Sequence, residues 1–279
     1  MNVYLNDRIV RAETARIDPT DRGLLLGDGL FETIAVFGGE PWRLDRHFAR
    51  LRDGARVIGL AVPTDDEGLA RAIDETRDAN GIEDGLLRLT LTRGPAPRGL
   101  LPASGARPTL LITASPRDRA SSPPARAVIA TTTRRNEHSP LSRLKTLNYL
   151  DNVIARREAA ARGADEAILV NTVGRLAETT VANLFVVIAG ETLTPPVEDG
   201  ALPGVVRAEL LESGRAAERS LAPDALVRAS EAFITNSGNI RAIVAVDGRS
   251  VGDGSPGPVQ ASLQAMVGAG QPDRTADRG

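Results

Sequence analysis

The sequence predicts an α+β fold in two domains, and three observations carry that expectation. The first third alternates strand-like runs with two stretches of helical periodicity. Residues 115–126, "SPRDRASSPPAR", are rich in Ser, Pro and Arg and lack any apolar period, which marks a linker. Strands and helices then resume and run to the region of residue 265. We expect a small α+β domain over 1–115, a linker over 116–125, a large domain over 126–268 and a disordered tail over 269–279, whose Gly, Pro, Asp and Arg show no pattern.

Each element follows from local chemistry. "VYLNDRIV" reads as two strands about an Asn-Asp turn. Leu30 to Phe37 reads as a strand that turns at Gly38-Gly39 into a shorter one. Asp45 is placed to cap a helix whose apolar residues are Phe48, Leu51, Ala55 and Ile58. Residues 66–79 have helical spacing, with Asp65, Asp66 and Glu67 at the favourable end of the dipole. "LLRLTLT" and "TLLITAS" are strands. Beyond the linker, "AVIATTT", "EAILVN", "ANLFVVI" and "EAFITNS" read as strands. "LNYLDNVIARREAAARG" is a helix stopped by Gly163, "PGVVRAELLES" opens another with Pro203 near its start, and "AIVAVDGRSV" is a hairpin on Asp-Gly.

Composition excludes several functions. Net charge is −2 with both signs interspersed, so there is no basic field for nucleic acid and no polybasic arm for a membrane. No apolar run approaches the roughly 20 residues of a membrane helix. Cysteine is absent, and His47 and His138 are the only histidines, too few for a histidine metal cage. No metal site is expected. The N-terminus reads as a strand and not as a signal peptide, and a cytoplasmic protein is expected. His47 is expected as a partly buried helix residue and His138 as an exposed one. Gly27 and Gly29 precede a strand, not a helix, so they do not form a dinucleotide fingerprint.

One residue type stands out. Of 34 Lys plus Arg, Lys145 is the single lysine. A solitary lysine is ordinarily a surface residue, but here every other cationic position is arginine. Imine formation with an aldehyde requires an amine that can be neutral, which arginine cannot supply. Glu178 lies 33 residues on, between two predicted strands. It is either a solvated loop carboxylate or the partner of a heterocyclic nitrogen. Were the aldehyde pyridoxal phosphate, such a carboxylate would keep the ring nitrogen protonated. A phosphate needs a cradle, and Gly204 opens a helix whose N–H groups at Val205 and Val206 can bind an anion. Asn236, Ser237 and Gly238, in "TNSG", add donors at a strand end, and Arg50 could add charge.

The order "GDGLFETI…HFARL…LTRGPAPR…LKTLNYL…GADEAILVN…ETTVANLF…LPGVVR…ITNS" resembles the fold-type IV, or class IV, pyridoxal-phosphate aminotransferases over roughly residues 1–250. That family includes D-amino-acid transaminases, branched-chain transaminases and 4-amino-4-deoxychorismate lyases. The resemblance implies pyridoxal 5′-phosphate in an interdomain cleft, crossed at its mouth by the linker, and a homodimer acting on amino acids and 2-oxo acids. It implies Lys145 as the Schiff-base lysine and proton shuttle, and Glu178 at the pyridine nitrogen. Arg50, Val205, Val206 and Ser237 would hold the phosphate, Tyr149 the phenolic oxygen, and Arg98 the substrate carboxylate. Phe31 stands where D-amino-acid transaminases usually have tyrosine, Leu100 where histidine is frequent and Val206 where threonine is common. Tyr149 follows the lysine by four residues, where branched-chain members often use five. These departures bear on the substrate. The implied activity is transamination, leaning to D-alanine or D-glutamate, with the lyase and the branched-chain L-amino-acid enzyme as alternatives.

Overall fold

A computed structural model describes residues 1–102, 105–117 and 123–269. The chain forms two compact units, Met1–Arg119 with Lys145–Asn148, and Ala120–Leu144 with Tyr149–Gly279. Residues 118–122 of the expected linker and 270–279 of the expected tail lie outside the described residues.

The first unit is built on an antiparallel sheet of β1 (Asn2–Leu5), β2 (Arg8–Arg11), β3 (Gly29–Phe37), β4 (Glu40–Pro41), β5 (Gly85–Thr92) and β6 (Thr109–Pro116), in the order β2-β1-β6-β5-β3-β4. Leu87, Leu89, Leu91, Leu110, Ile112 and Ala114 alternate along β5 and β6 and are buried. The helices α2 (Leu44–Val57) and α3 (Asp66–Asn80) pack against this sheet through Phe48, Leu51, Leu69 and Ile73. Asp65 caps α3, accepting from the N–H of Gly68 at 2.9 Å. Helix α2 begins earlier than expected. Arg43, at φ 57°, is its N-cap residue, and Asp45 sits inside the first turn, where its charge faces the helix dipole without capping it. A short helix not foreseen from sequence, α1 (Arg22–Leu26), precedes β3 and ends on Gly27 at φ 65°.

The second unit holds a mixed nine-stranded sheet. Its strands are β7 (Ala125–Ile129), β8 (Glu166–Val170), β9 (Leu176–Thr179), β10 (Asn183–Ile188), β11 (Glu191–Thr194), β12 (Ala217–Glu218), β13 (Glu231–Asn236), β14 (Asn239–Val246) and β15 (Arg249–Ser250). The order is β12-β11-β10-β13-β14-β7-β8-β9, with β15 on β14. Strands β8, β10 and β13 are buried nearly throughout, and their residues 167–170, 184–188 and 232–234 are continuous apolar runs, as a two-sided sheet requires. Phe185 and Phe233, register partners on β10 and β13, stack at 5.1 Å. Helix α4 (Leu150–Ala161) packs Ala155 and Ala159 beside Val128 and Leu169, and Gly163 follows at φ 68° as its stop. Helices α5 (Val205–Glu212), α6 (Ala225–Arg228) and α7 (Pro258–Ala269) complete the unit. Asp247 and Gly248, both at positive φ, form the expected β14–β15 turn.

Candidate active site

In the first unit, Lys145 is held by backbone pairing. The N–H of Phe31 donates to the carbonyl of Lys145 at 2.9 Å, and that of Leu147 to the carbonyl of Gly29 at 3.0 Å. Residues 145–147 thereby extend the sheet at the start of β3. Two glycines admit them. A Cβ on Gly29 would come within 2.8 Å of Leu147 Cδ1 and 2.5 Å of the Leu91 carbonyl oxygen. Gly27 accepts from Asn148 Nδ2 at 3.1 Å. Asp28, between them, is gripped by Arg22 and Arg93 at 2.7 and 2.8 Å. The Lys145 side chain is half-buried, with Nζ 4.4 Å from the centroid of the Phe31 ring. Arg88 Cζ lies 3.7 Å from the same centroid, so one ring meets two cations.

Alternation along β3 points Glu32 to the opposite face, toward α2. There it accepts from Arg50 Nε at 2.9 Å and Arg50 Nη2 at 2.6 Å, and pairs with His47 Nδ1 at 2.7 Å. Burial opposes ionisation of Glu32. The Arg50 charge and the hydrogen bonds from His47 and Arg50 outweigh it and hold the carboxyl below its ordinary 4.5, at about 2. Burial pushes the His47 pKa down against the pull of Glu32. A neutral imidazole donates Nδ1–H to the carboxylate, and its buried Nε2 has no partner among the described residues. His47 is fully buried, more than the sequence suggested. His138 is exposed, as expected. Arg98 stands exposed in the loop after β5, beside Gly99 and Leu100, whose carbonyls accept from Arg22 at 2.7 and 2.8 Å.

In the second unit, Glu178 is not a solvated loop residue. It lies in β9, opposite Leu169 of β8, and is buried. One carboxylate oxygen pairs with Arg135 Nη2, and the other accepts the N–H of Leu202 at 3.0 Å. Asn183 Nδ2 in turn donates to the carbonyl of Leu202 at 2.8 Å. A Cβ on Gly204 would stand 1.9 Å from Asn183 Oδ1, so any larger residue there must push the Asn183 side chain aside. Gly204 is the N-cap of α5, no side chain caps that end, and the first turn carries no acidic residue. Val205 and Val206 are buried in that turn.

Thr235 pairs with Asn183 across β10 and β13, and its buried Oγ1 has no partner among the described residues. Asn236, Ser237 and Gly238 follow it in the turn to β14, where the N–H of Gly238 donates to Asn236 Oδ1 at 3.1 Å. Tyr149 is half-buried at the N-cap of α4.

These donor sets fit pyridoxal phosphate. An uncapped helix start and an orphaned threonine hydroxyl suit a phosphate, a buried carboxylate suits the cationic edge of a ring, and a held amine suits an aldehyde. Sequence reasoning missed Glu32, Arg88, Arg135 and Asn183. Glu32 was within reach, because His47 and Arg50 share a helix face that must bury something polar. The others act across chain separations that leave no local pattern.

A sequence model of the amino-transferase class IV family matches residues 29–246. A putative branched-chain-amino-acid aminotransferase of Methanocaldococcus jannaschii is 32% identical, over 95% of this chain and 94% of that one. A D-alanine aminotransferase of Bacillus licheniformis is also 32% identical, over 96% of each. An aminodeoxychorismate lyase of Bacillus subtilis is 29% identical over 84% of this chain and 83% of its own. Among solved structures, a T.th. branched-chain amino acid aminotransferase with pyridoxamine 5′-phosphate superposes with a TM-score of 0.88 at 25% identity, covering 95% of this chain and 92% of that one. The chain belongs to the class IV aminotransferases and is a pyridoxal-phosphate-dependent transaminase of the fold-type IV architecture.

Proposed function

We propose that the chain moves an amino group between a D-amino acid, such as D-alanine or D-glutamate, and a 2-oxo acid. The observation that carries transamination is the placement of the single lysine, Lys145, on the β3 sheet edge against Phe31. Bound pyridoxal phosphate supplies an aldehyde for covalent attachment and a ring that accepts electrons as a Cα proton leaves. Lys145 would hold that aldehyde through its ε-nitrogen, and its amine, when free, would take up and return the proton of the substrate Cα as base and acid. Glu178 would keep the ring nitrogen protonated. In the second unit, the first turn of α5 at Gly204, Val205 and Val206 and the Asn236–Ser237 turn would hold the phosphate, and Tyr149 would meet the phenolic oxygen. In the first unit, Arg50 would supply positive charge for the phosphate.

The D-amino-acid reading is supported by Arg98 within "RGPAPR" as a carboxylate grip, by Phe31 and Gly238 as neighbours of the substrate, and by the D-alanine aminotransferase relative. The branched-chain relative is as similar, which favours L-leucine as the second reading. One assay separates them: 2-oxoglutarate-dependent pyruvate from D-alanine against 4-methyl-2-oxopentanoate from L-leucine. Turnover of D-alanine at least tenfold faster is expected. Faster L-leucine turnover refutes the reading, and pyruvate from aminodeoxychorismate without a 2-oxo acid identifies a lyase. A homodimer belongs to the same proposal. Leu24, Leu25, Leu26, Leu100 and Leu101 are exposed apolar surface of the first unit, which a second copy could cover. Light scattering that gives the mass of one chain refutes the dimer.

A further inference from the structure

We propose that Arg135 is the positioning residue for Glu178, fixing the carboxylate before any cofactor arrives. The inference rests on the reading of Glu178 as the partner of the ring nitrogen, and it adds the group through which that carboxylate is aimed.

A carboxylate has two oxygens with about four acceptor sites, and its side chain can rotate. Glu178 is denied that freedom from two directions. Arg135 donates to Oε1, and the backbone of Leu202 donates to Oε2 at 3.0 Å. These donors come from different segments, the stretch after β7 and the stretch before α5, so neither can follow a swing of the side chain toward the other. Each oxygen keeps a lone pair for a further donor.

Arg135 is itself fixed. Its N–H donates to the carbonyl of Val170 at 2.9 Å, and it bridges Asn171. Its stem lies on the backbone of Gly200, where a Cβ would stand 3.3 Å from Arg135 Cβ and Cγ. Gly200 has φ +96°, a conformation that glycine tolerates and other residues resist. Residues 200–202 thus support the arginine at one end and the carboxylate at the other.

Stability alone does not account for this pair. Buried ion pairs add little compared with apolar residues of the same size, because both charges lose hydration. Here the arginine also leaves its buried Nε without a partner among the described residues. What the pair provides is a single orientation, and preorganisation of that kind appears as ligand affinity.

The test uses the full-length apoprotein titrated with pyridoxal phosphate. It reads the dissociation constant by equilibrium dialysis and the visible band of the bound cofactor, for Glu178→Gln, Arg135→Met, Arg135→Lys and the double variant Arg135→Met/Glu178→Gln. Arg135→Met is expected to weaken binding about 10- to 100-fold, as loss of the partner behind a metal-ligating side chain does, and to shift the band. Arg135→Lys is expected to recover part of both, since the charge remains and the guanidinium fork is lost. The double variant is expected to bind no more weakly than Glu178→Gln, since Arg135 acts through that carboxylate. An unchanged band and affinity in Arg135→Met overturns the proposal, and so does a double variant whose loss is the sum of the single losses. If Arg135→Met does not fold, Arg135→Lys decides: a changed band and affinity supports the proposal and wild-type values overturn it. Wild-type behaviour of Glu178→Gln is a different failure, because it removes the role of Glu178 itself.

Discussion

The backbone N–H of Phe31 donates to the carbonyl of Lys145 at 2.9 Å, so the amine-bearing residue belongs to the sheet of the first unit although it follows β7 in sequence. Its position therefore depends on the small residues that let residues 145–148 approach β3.

Gly29→Val tests that dependence. The new side chain would overlap Leu147 and the Leu91 carbonyl. We expect a destabilisation of about 1–3 kcal/mol, as for other overpacked sites, together with loss of the visible absorbance of lysine-bound cofactor. Urea denaturation and an absorption spectrum measure the two. Full absorbance in the variant contradicts the importance of this pairing.

Glu32 gives a pH signature. Its pKa falls from the ordinary 4.5 to about 2 in the folded chain. A depressed carboxyl binds protons more readily when unfolded, so its contribution is complete above about pH 4.5 and disappears as pH falls toward 2. The contribution is on the order of 3 kcal/mol. Glu32→Gln should be less stable at neutral pH, with Arg50 and His47 left without their carboxylate. The gap from wild type should narrow between pH 4.5 and 2. Urea titrations across that range check the slope, and a gap independent of pH rejects the assignment.

Gly204→Ala separates phosphate binding from ring binding. A methyl there meets Asn183 Oδ1 at 1.9 Å and must displace the side chain that holds the Leu202 carbonyl. Disturbing one helix N-terminus is worth roughly 1.4 kcal/mol, or about tenfold in affinity. Pyridoxal phosphate should bind that much more weakly to the apoprotein, while pyridoxal, which lacks the phosphate, should bind as before. Equal losses for both show that the helix start does not hold the phosphate.

Most of this architecture was legible because its signals are local. The hairpins at Asn6-Asp7, Gly38-Gly39 and Asp247-Gly248 are declared by their turn residues, and α3 by Asp65 and its apolar stripe. Lys145 was legible through composition alone. Helix α1 was not, because Leu24, Leu25 and Leu26 remain exposed and give no core-facing period. Strand β9 was not, because four residues between Arg175 and Thr180 carry too little alternation to distinguish a strand from a loop. The partner of Glu178 was hidden by distance, since Arg135 lies 43 residues before it and is one of many arginines. The cap of α2 was misplaced because Arg43 adopts the left-handed region, which its side chain does not favour.

The proposed chemistry requires that Lys145 carry the cofactor. Because no other lysine exists, borohydride reduction of the holoenzyme followed by peptide mass spectrometry gives an unambiguous answer. A single reduced phosphopyridoxyl adduct on Lys145 is expected, absent from Lys145→Arg. A holoenzyme that shows no adduct there, or an adduct that persists in Lys145→Arg, rules out Lys145 as the attachment site.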